Sequence, residues 1–124
     1  MLRLAHLADA ADPLMLIWGD AEALDGLASA LREASQGGRA LTLRDAARDL
    51  QVTVDATETG GGMIELSPST FRWLIRRADV DRFASLVDVV STSSAPCHHY
   101  LDDDEGRGLT IKVSRGEYPE DFRP

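Results

Sequence analysis

The sequence predicts an α+β fold, a two-layer domain built from a tandem strand-helix-strand-strand repeat. Residues 24–35 and 80–91, LDGLASALREAS and VDRFASLVDVVS, are both amphipathic and share an aspartate, an Ala-Ser pair and a closing serine. Each segment follows an apolar stretch typical of a strand, and each precedes two further strand patterns. Two such units bury their helices most simply on one face of a single, mostly antiparallel sheet.

The first half begins with LMLIW at residues 14–18, whose uniformly apolar character predicts a strand buried on both faces. Asp20 is a suitable N-cap for the helix that follows, and Gly37 and Gly38 are expected to end that helix. Residues 40–44 and 50–55 then alternate in polarity, which predicts two strands with a short turn or helical piece at DAARD between them.

The second half follows the glycine-rich TETGGG, which we interpret as a flexible hairpin connection. MIEL and FRWLI favour one long strand with a bulge or break at SPST. Asp79 is the expected N-cap of the second helix, whose central Phe83 corresponds to Leu27 in the first helix. CHHYL and LTIKV are expected to form a hairpin through the acidic DDDEGRG. The predicted halves, about 14–55 and 63–113, belong to a single domain over residues 1–124.

Length and charge limit the classes of function. A chain of 124 residues corresponds to one domain, and a net charge of −8 disfavours a nucleic-acid surface. Arginines at residues 72, 76, 77 and 82 could form a small basic patch, but Asp79 and Asp81 lie among them and reduce its positive charge. The longest apolar run, PLMLIW, is too short to cross a membrane. The lone Cys97 and the early acids predict a cytoplasmic protein, and we expect a monomer or homodimer.

The stretch CHHYLDDD is the main candidate for a functional surface. In a strand, His98, Tyr100 and Asp102 would share the face opposite Leu101, where they could transfer protons or contact a partner. Asp103 and Asp104 add negative charge beside them. Consecutive Cys and His residues cannot converge on one metal ion from a strand, so we predict a binding edge with no metal and no cofactor.

The two tryptophans suggest an alternative site. Trp18 or Trp73 could wall a small-molecule pocket in the groove between the halves, with Glu65 as its buried acid. The tandem element order resembles that of gyrase-inhibitor-like ligand-binding domains over most of the chain, and this resemblance concerns architecture without a shared functional motif.

Three functions therefore remain open, and we place them in order. The first is a small acidic, non-enzymatic binding protein that neutralises or regulates a basic protein partner, as in a toxin-immunity type role. The second is a small-molecule-binding domain that uses the groove between the halves. The third, placed last, is a hydrolase-type enzyme centred on His98, Tyr100 and Asp102.

Overall fold

The computed structural model describes residues 1–37 and 40–124 and confirms the α+β class. Two short 3-10 turns lie at Ala46–Arg48 and Arg77–Asp79, the first of them at the predicted DAARD piece. The described residues form the strands and helices β1 (Arg3–Leu7), β2 (Leu14–Trp18), α1 (Ala21–Gly37), β3 (Leu41–Asp45), β4 (Leu50–Thr57), β5 (Gly62–Ser67), β6 (Thr70–Arg76), α2 (Val80–Thr92), β7 (Cys97–Tyr100) and β8 (Thr110–Arg115).

The strands are divided equally between two sheets. Sheet A has the order β1-β2-β8-β7 and sheet B the order β3-β4-β6-β5. The central pair of each sheet is parallel and the outer pairs are antiparallel. The expected single, mostly antiparallel sheet is thus replaced by two mixed sheets. The physical reason is that α1 carries the chain from β2 in sheet A to β3 in sheet B, and α2 carries it back from β6 to β7.

The internal repeat is present, and its unit is larger than expected. Each half contains two strands, a helix and two strands, because β1 adds a strand that the sequence pattern did not reveal. Thr70 follows Leu14 by the same number of residues as Val80 follows Leu24, and these two strand residues pair in parallel with Gln51 and Thr110 respectively. The alignment of the helices therefore extends back through the strands before them.

Both helices and both sheets share one hydrophobic core. The helices pack directly against each other, and Leu27 and Phe83 are buried at the centres of their apolar stripes, as predicted. Trp73 stacks on Phe83 with 6.1 Å between ring centroids. A smaller cluster lies on the other face of sheet A, where Tyr118 and Phe122 pack around Trp18. Strand β2 is consequently buried on both faces, as LMLIW predicted.

Two connections differ from the sequence prediction. TETGGG does not form a hairpin, because β6 lies between β4 and β5 in sheet B. MIEL and FRWLI form two antiparallel strands in place of one long strand, since the chain turns back at Pro68 and Ser69, with a register shift between Glu65 and Ser67. The predicted hairpin through DDDEGRG is confirmed by the antiparallel pairing of β7 with β8.

The helix ends follow the sequence at one helix only. The backbone N–H of Ala23 donates to Asp20 Oδ1 at 2.8 Å, so Asp20 caps α1 as predicted. Helix α1 extends to Gly37, and the predicted stop at Gly38 lies outside the described residues. Asp79 does not cap α2 through its side chain, because its carboxylate binds Arg76 and Arg82. Neither helix is long and apolar enough to cross a membrane over the described ranges.

Candidate functional site

A polar cluster lies on the outer face of sheet A beside the edge strand β7. His98 pairs across the ladder with Ser114, and Tyr100 pairs with Lys112. The turn after β8 adds Glu117 and Tyr118 to the same face. The positive φ of Gly116, 80°, allows this sharp turn. We call this group the His98 cluster, consisting of His98, Tyr100, Lys112, Ser114, Glu117 and Tyr118.

The Glu117 carboxylate is the centre of the cluster. His98 Nδ1 lies 2.9 Å from Glu117 Oε2, and the Ser114 hydroxyl donates to Oε1 at 2.6 Å. Lys112 Nζ donates to the Tyr118 hydroxyl at 3.0 Å and lies 4.0 Å from Glu117 Oε1. The ring of Tyr100 contacts the His98 ring edge to face, with 5.5 Å between centroids. The Glu117 carboxylate thus holds an imidazole and a hydroxyl, and an ammonium group lies near it.

The cluster favours charged forms of its acid and its lysine. Burial acts to raise the pKa of Glu117, but the hydrogen bonds from Ser114 and His98 outweigh it and lower that pKa. Burial acts to lower the pKa of Lys112, but the hydrogen bond to Tyr118 and the charge of Glu117 outweigh it and raise that pKa. Both shifts favour the charged forms that an ion pair between Glu117 and Lys112 requires.

The geometry does not prepare the Ser114 hydroxyl for nucleophilic attack. Ser114 is fully buried, and its hydroxyl is bound to the same carboxylate that holds His98. An attacking hydroxyl would need the imidazole as its base, and here it donates to Glu117 instead. Tyr100, in contrast, is 48% exposed on an edge strand. The cluster presents a braced aromatic side chain and a histidine to the surroundings.

The predicted trio of His98, Tyr100 and Asp102 is brought together only in part. His98 and Tyr100 are neighbours on one face, but Asp102 lies beyond the end of β7, and its Oδ1 accepts a hydrogen bond from the Ile111 N–H at 3.0 Å. The carboxylate beside His98 is Glu117, which sequence reasoning missed. Glu117 lies beyond the next strand, and its one local signal is the turn residue Gly116.

Asp103 and Asp104 have partners within the chain. Arg107 donates to both oxygens of Asp103, at 2.9 and 3.0 Å, and Asp103 is nearly buried. Asp104 binds Arg76 at 2.9 Å and Arg82 at 2.8 Å, which links the β7–β8 loop to β6 and α2. Their charges are therefore largely neutralised, and both carboxylates hold the loop in place.

The tryptophans and Glu65 do not form the predicted pocket. Trp73 is buried in the core against Phe83. Trp18 is covered by the segment after β8, and its Nε1 donates to the Pro119 carbonyl at 3.2 Å. Glu65 lies on the exposed part of β5 and is not a buried acid. The predicted pocket is absent at both tryptophans because aromatic side chains of the same chain pack against each ring. Phe83 packs on Trp73, and Tyr118 and Phe122 pack on Trp18.

The charges of the described residues are distributed unequally. The basic side chains that form ion pairs inside the chain are Arg3, Arg32, Arg48, Arg72, Arg76, Arg77, Arg82, Arg107 and Lys112. Exposed acids such as Glu22, Asp25 and Glu33 on α1 and Asp102 beside the His98 cluster form no ion pair with any described residue. The unneutralised surface charge is therefore mainly negative.

Within residues 1–37 and 40–124, no group of three or more histidine, cysteine, aspartate or glutamate side chains is arranged to hold a metal ion.

Comparisons with protein-family models, with curated proteins and with solved structures give no match for this chain.

Proposed function

We propose that this chain is a small acidic, non-enzymatic binding protein that neutralises or regulates a basic protein partner, in a toxin-immunity type role. The observation that supports it most directly is Tyr100, an aromatic side chain 48% exposed on edge strand β7 and braced by His98. Tyrosine is among the residues that most often dominate binding energy at protein interfaces, because it supplies a large contact area and loses little conformational entropy.

The position of Tyr100 adds a second means of recognition. Among the described residues, strand β7 pairs with β8 on one side only, so its other edge offers backbone groups to an incoming extended segment. A partner strand added there would pass His98 and Tyr100. The proposal therefore places Tyr100 at the centre of the interface and His98 as its support.

Charge would select a basic partner for this surface. Asp102 is exposed next to β7, and Glu105 is exposed at the tip of the same loop with only a weak contact to Arg107 at 3.8 Å. These carboxylates, with the net charge of −8, would attract cationic side chains and accelerate association at low salt. Asp103 and Asp104 contribute indirectly, because they hold the loop that carries both acids.

Affinity purification from the cells that produce the protein tests this proposal. We expect wild-type protein to recover a basic protein, and Tyr100→Ala to bind it about tenfold or more weakly, as for a central interface aromatic. Asp102→Asn and Glu105→Gln should slow association and reduce its salt dependence. Val89→Ala, which alters an exposed side chain on α2, is the matched control and should bind normally.

Two results would contradict the proposal. One is a basic partner that binds Tyr100→Ala and the charge variants with wild-type affinity. The other is recovery of the protein alone with a co-purifying small molecule, which would favour the ligand-binding alternative.

A further inference from the structure

The outer faces of the two sheets differ in whether they are covered. Residues 116–122 cross the outer face of sheet A, where Tyr118 and Phe122 pack around Leu16 and Trp18. On sheet B the corresponding face retains Ile64, which is 41% exposed, and Leu66 at the neighbouring bulge of β5 is 60% exposed. The same chain therefore contains one covered and one open sheet face.

The internal repeat relates these two faces position by position. Leu16 is opposite Ala5 in sheet A, and its counterpart Arg72 is opposite Ile64 in sheet B. Trp18 has Leu74 as its counterpart, and Leu74 belongs to neither of the two hydrophobic clusters. Ile64 and Leu74 thus occupy the positions at which sheet A is covered by aromatic side chains. Sheet A shows which chemistry covers such a face.

The charges on the outer face of sheet B indicate what kind of segment could cover it. Arg44 is exposed on the outer face of sheet B and forms no ion pair within the described ranges, while the half-exposed Arg72 forms an ion pair with Asp55 at 2.9 Å. Among the described residues of this face, the exposed charge that is left unpaired, on Arg44, is positive, although the chain has a net charge of −8. The segment that covers sheet A is itself acidic, and its Glu117 and Glu120 lie near Lys112 and Arg3 of that sheet.

We propose that the outer face of sheet B binds an acidic segment of a partner protein that carries an aromatic side chain. The ring would lie over Ile64, Leu66 and Leu74, and the carboxylates would face Arg44 and Arg72. Apolar burial provides affinity and the unpaired Arg44 favours an acidic sequence. This surface is separate from β7, so the inference goes beyond the binding of a basic partner proposed above.

A labelled peptide GEYPEDF, with the sequence of residues 116–122, is the probe. We expect saturable binding to the full chain with one site per molecule, measured by fluorescence anisotropy. Leu66→Asp and Arg44→Gln should each weaken binding about tenfold, because one removes apolar contact and the other removes an unpaired positive charge. Val89→Asp, also at an exposed apolar position, and Tyr100→Ala should bind normally, which separates this site from the β7 surface.

Each of the following outcomes would overturn the inference. The peptide binds neither wild type nor variants, or it binds Leu66→Asp as tightly as wild type. Nuclear magnetic resonance shows that the peptide perturbs the Trp18 indole N–H and leaves β5 unchanged, which means that it displaces the chain's own segment from sheet A. Sedimentation shows a dimer that Leu66→Asp dissociates, which assigns the face to a second copy.

Discussion

At the scale of single residues, the two halves use the same device to close a turn. Asp45 and Asp103 each lie two residues after a leucine whose backbone pairs with the next strand. Both carboxylates are nearly buried and bind an arginine of their own turn, Arg48 at 2.8 Å and Arg107 at 2.9 Å. A buried carboxylate is stable only when such partners replace its hydration.

The second of these pairs should make stability depend on pH. Hydrogen bonds from Arg107 lower the pKa of Asp103, so its contribution is present above the ordinary carboxyl pKa of about 4 and is lost as pH falls through the lower folded value. We expect Asp103→Asn to lose about 1.5–3 kcal/mol of unfolding free energy at pH 7 and much less near pH 2, measured by urea unfolding. Glu105→Gln, an exposed change in the same loop, should differ little from wild type at either pH. A deficit that is the same at both pH values would contradict this account.

At the scale of the helices, packing between α1 and α2 joins the two halves. Leu27 and Phe83 are equivalent residues at the centres of the two apolar stripes, and both are buried in the shared core. The stacking of Phe83 on Trp73 also connects α2 to sheet B. Each sheet contains strands from both halves, so each helix stabilises strands of the other half as well as its own.

Truncation of these residues should destabilise the whole fold. We expect Phe83→Ala to lower the free energy of unfolding by about 3–5 kcal/mol and Leu27→Ala by about 2–5 kcal/mol, because each leaves a cavity in the core. Denaturant unfolding followed by circular dichroism measures both values. Val89→Ala on the exposed side of α2 should cost little. An unchanged unfolding midpoint for Phe83→Ala would show that the ring is not a core anchor.

The sequence predicted elements better than it predicted their partners. Hydrophobic periodicity located α1, α2 and most strands, because that pattern depends on near neighbours. Strand partners depend on contacts between distant residues, so the parallel pairing of β2 with β8 had no local signal. The short β1 was not predicted because its sequence has no distinct pattern. The carboxylate of the site was not predicted because Glu117 lies in a turn beyond β8. His98 and Tyr100 were found because alternation along one strand is local.

At the scale of the whole molecule, neither half can complete a sheet alone. Sheet A takes β1 and β2 from the first half and β7 and β8 from the second, and sheet B is composed in the converse way. The segment after β8 adds a further link, because Arg48 of the first half donates to the Phe122 carbonyl at 3.0 Å. The two halves are therefore connected through both sheets, in spite of the repeat.

We expect both sheets to unfold together. Trp18 reports on sheet A and Trp73 on the core beside sheet B, so the single-tryptophan variants Trp73→Phe and Trp18→Phe allow each region to be followed by fluorescence. In each variant the fluorescence transition should coincide with the circular dichroism transition of the same variant, as a two-state process requires. A fluorescence transition that precedes the loss of circular dichroism in either variant would show that one sheet unfolds independently.

The crossed arrangement of the strands also bears on how such a gene can arise. A chain of half this length would have two strands, one helix and two further strands. Two copies of it, paired as the two halves are here, would supply all the strands of both sheets. Joining the two copies through a short glycine-rich connection such as TETGGG makes the pair permanent. The two halves then no longer need to have the same sequence. Identical subunits must have identical faces, whereas fused halves can diverge. The covered face of sheet A and the open face of sheet B are a difference that two identical subunits could not have.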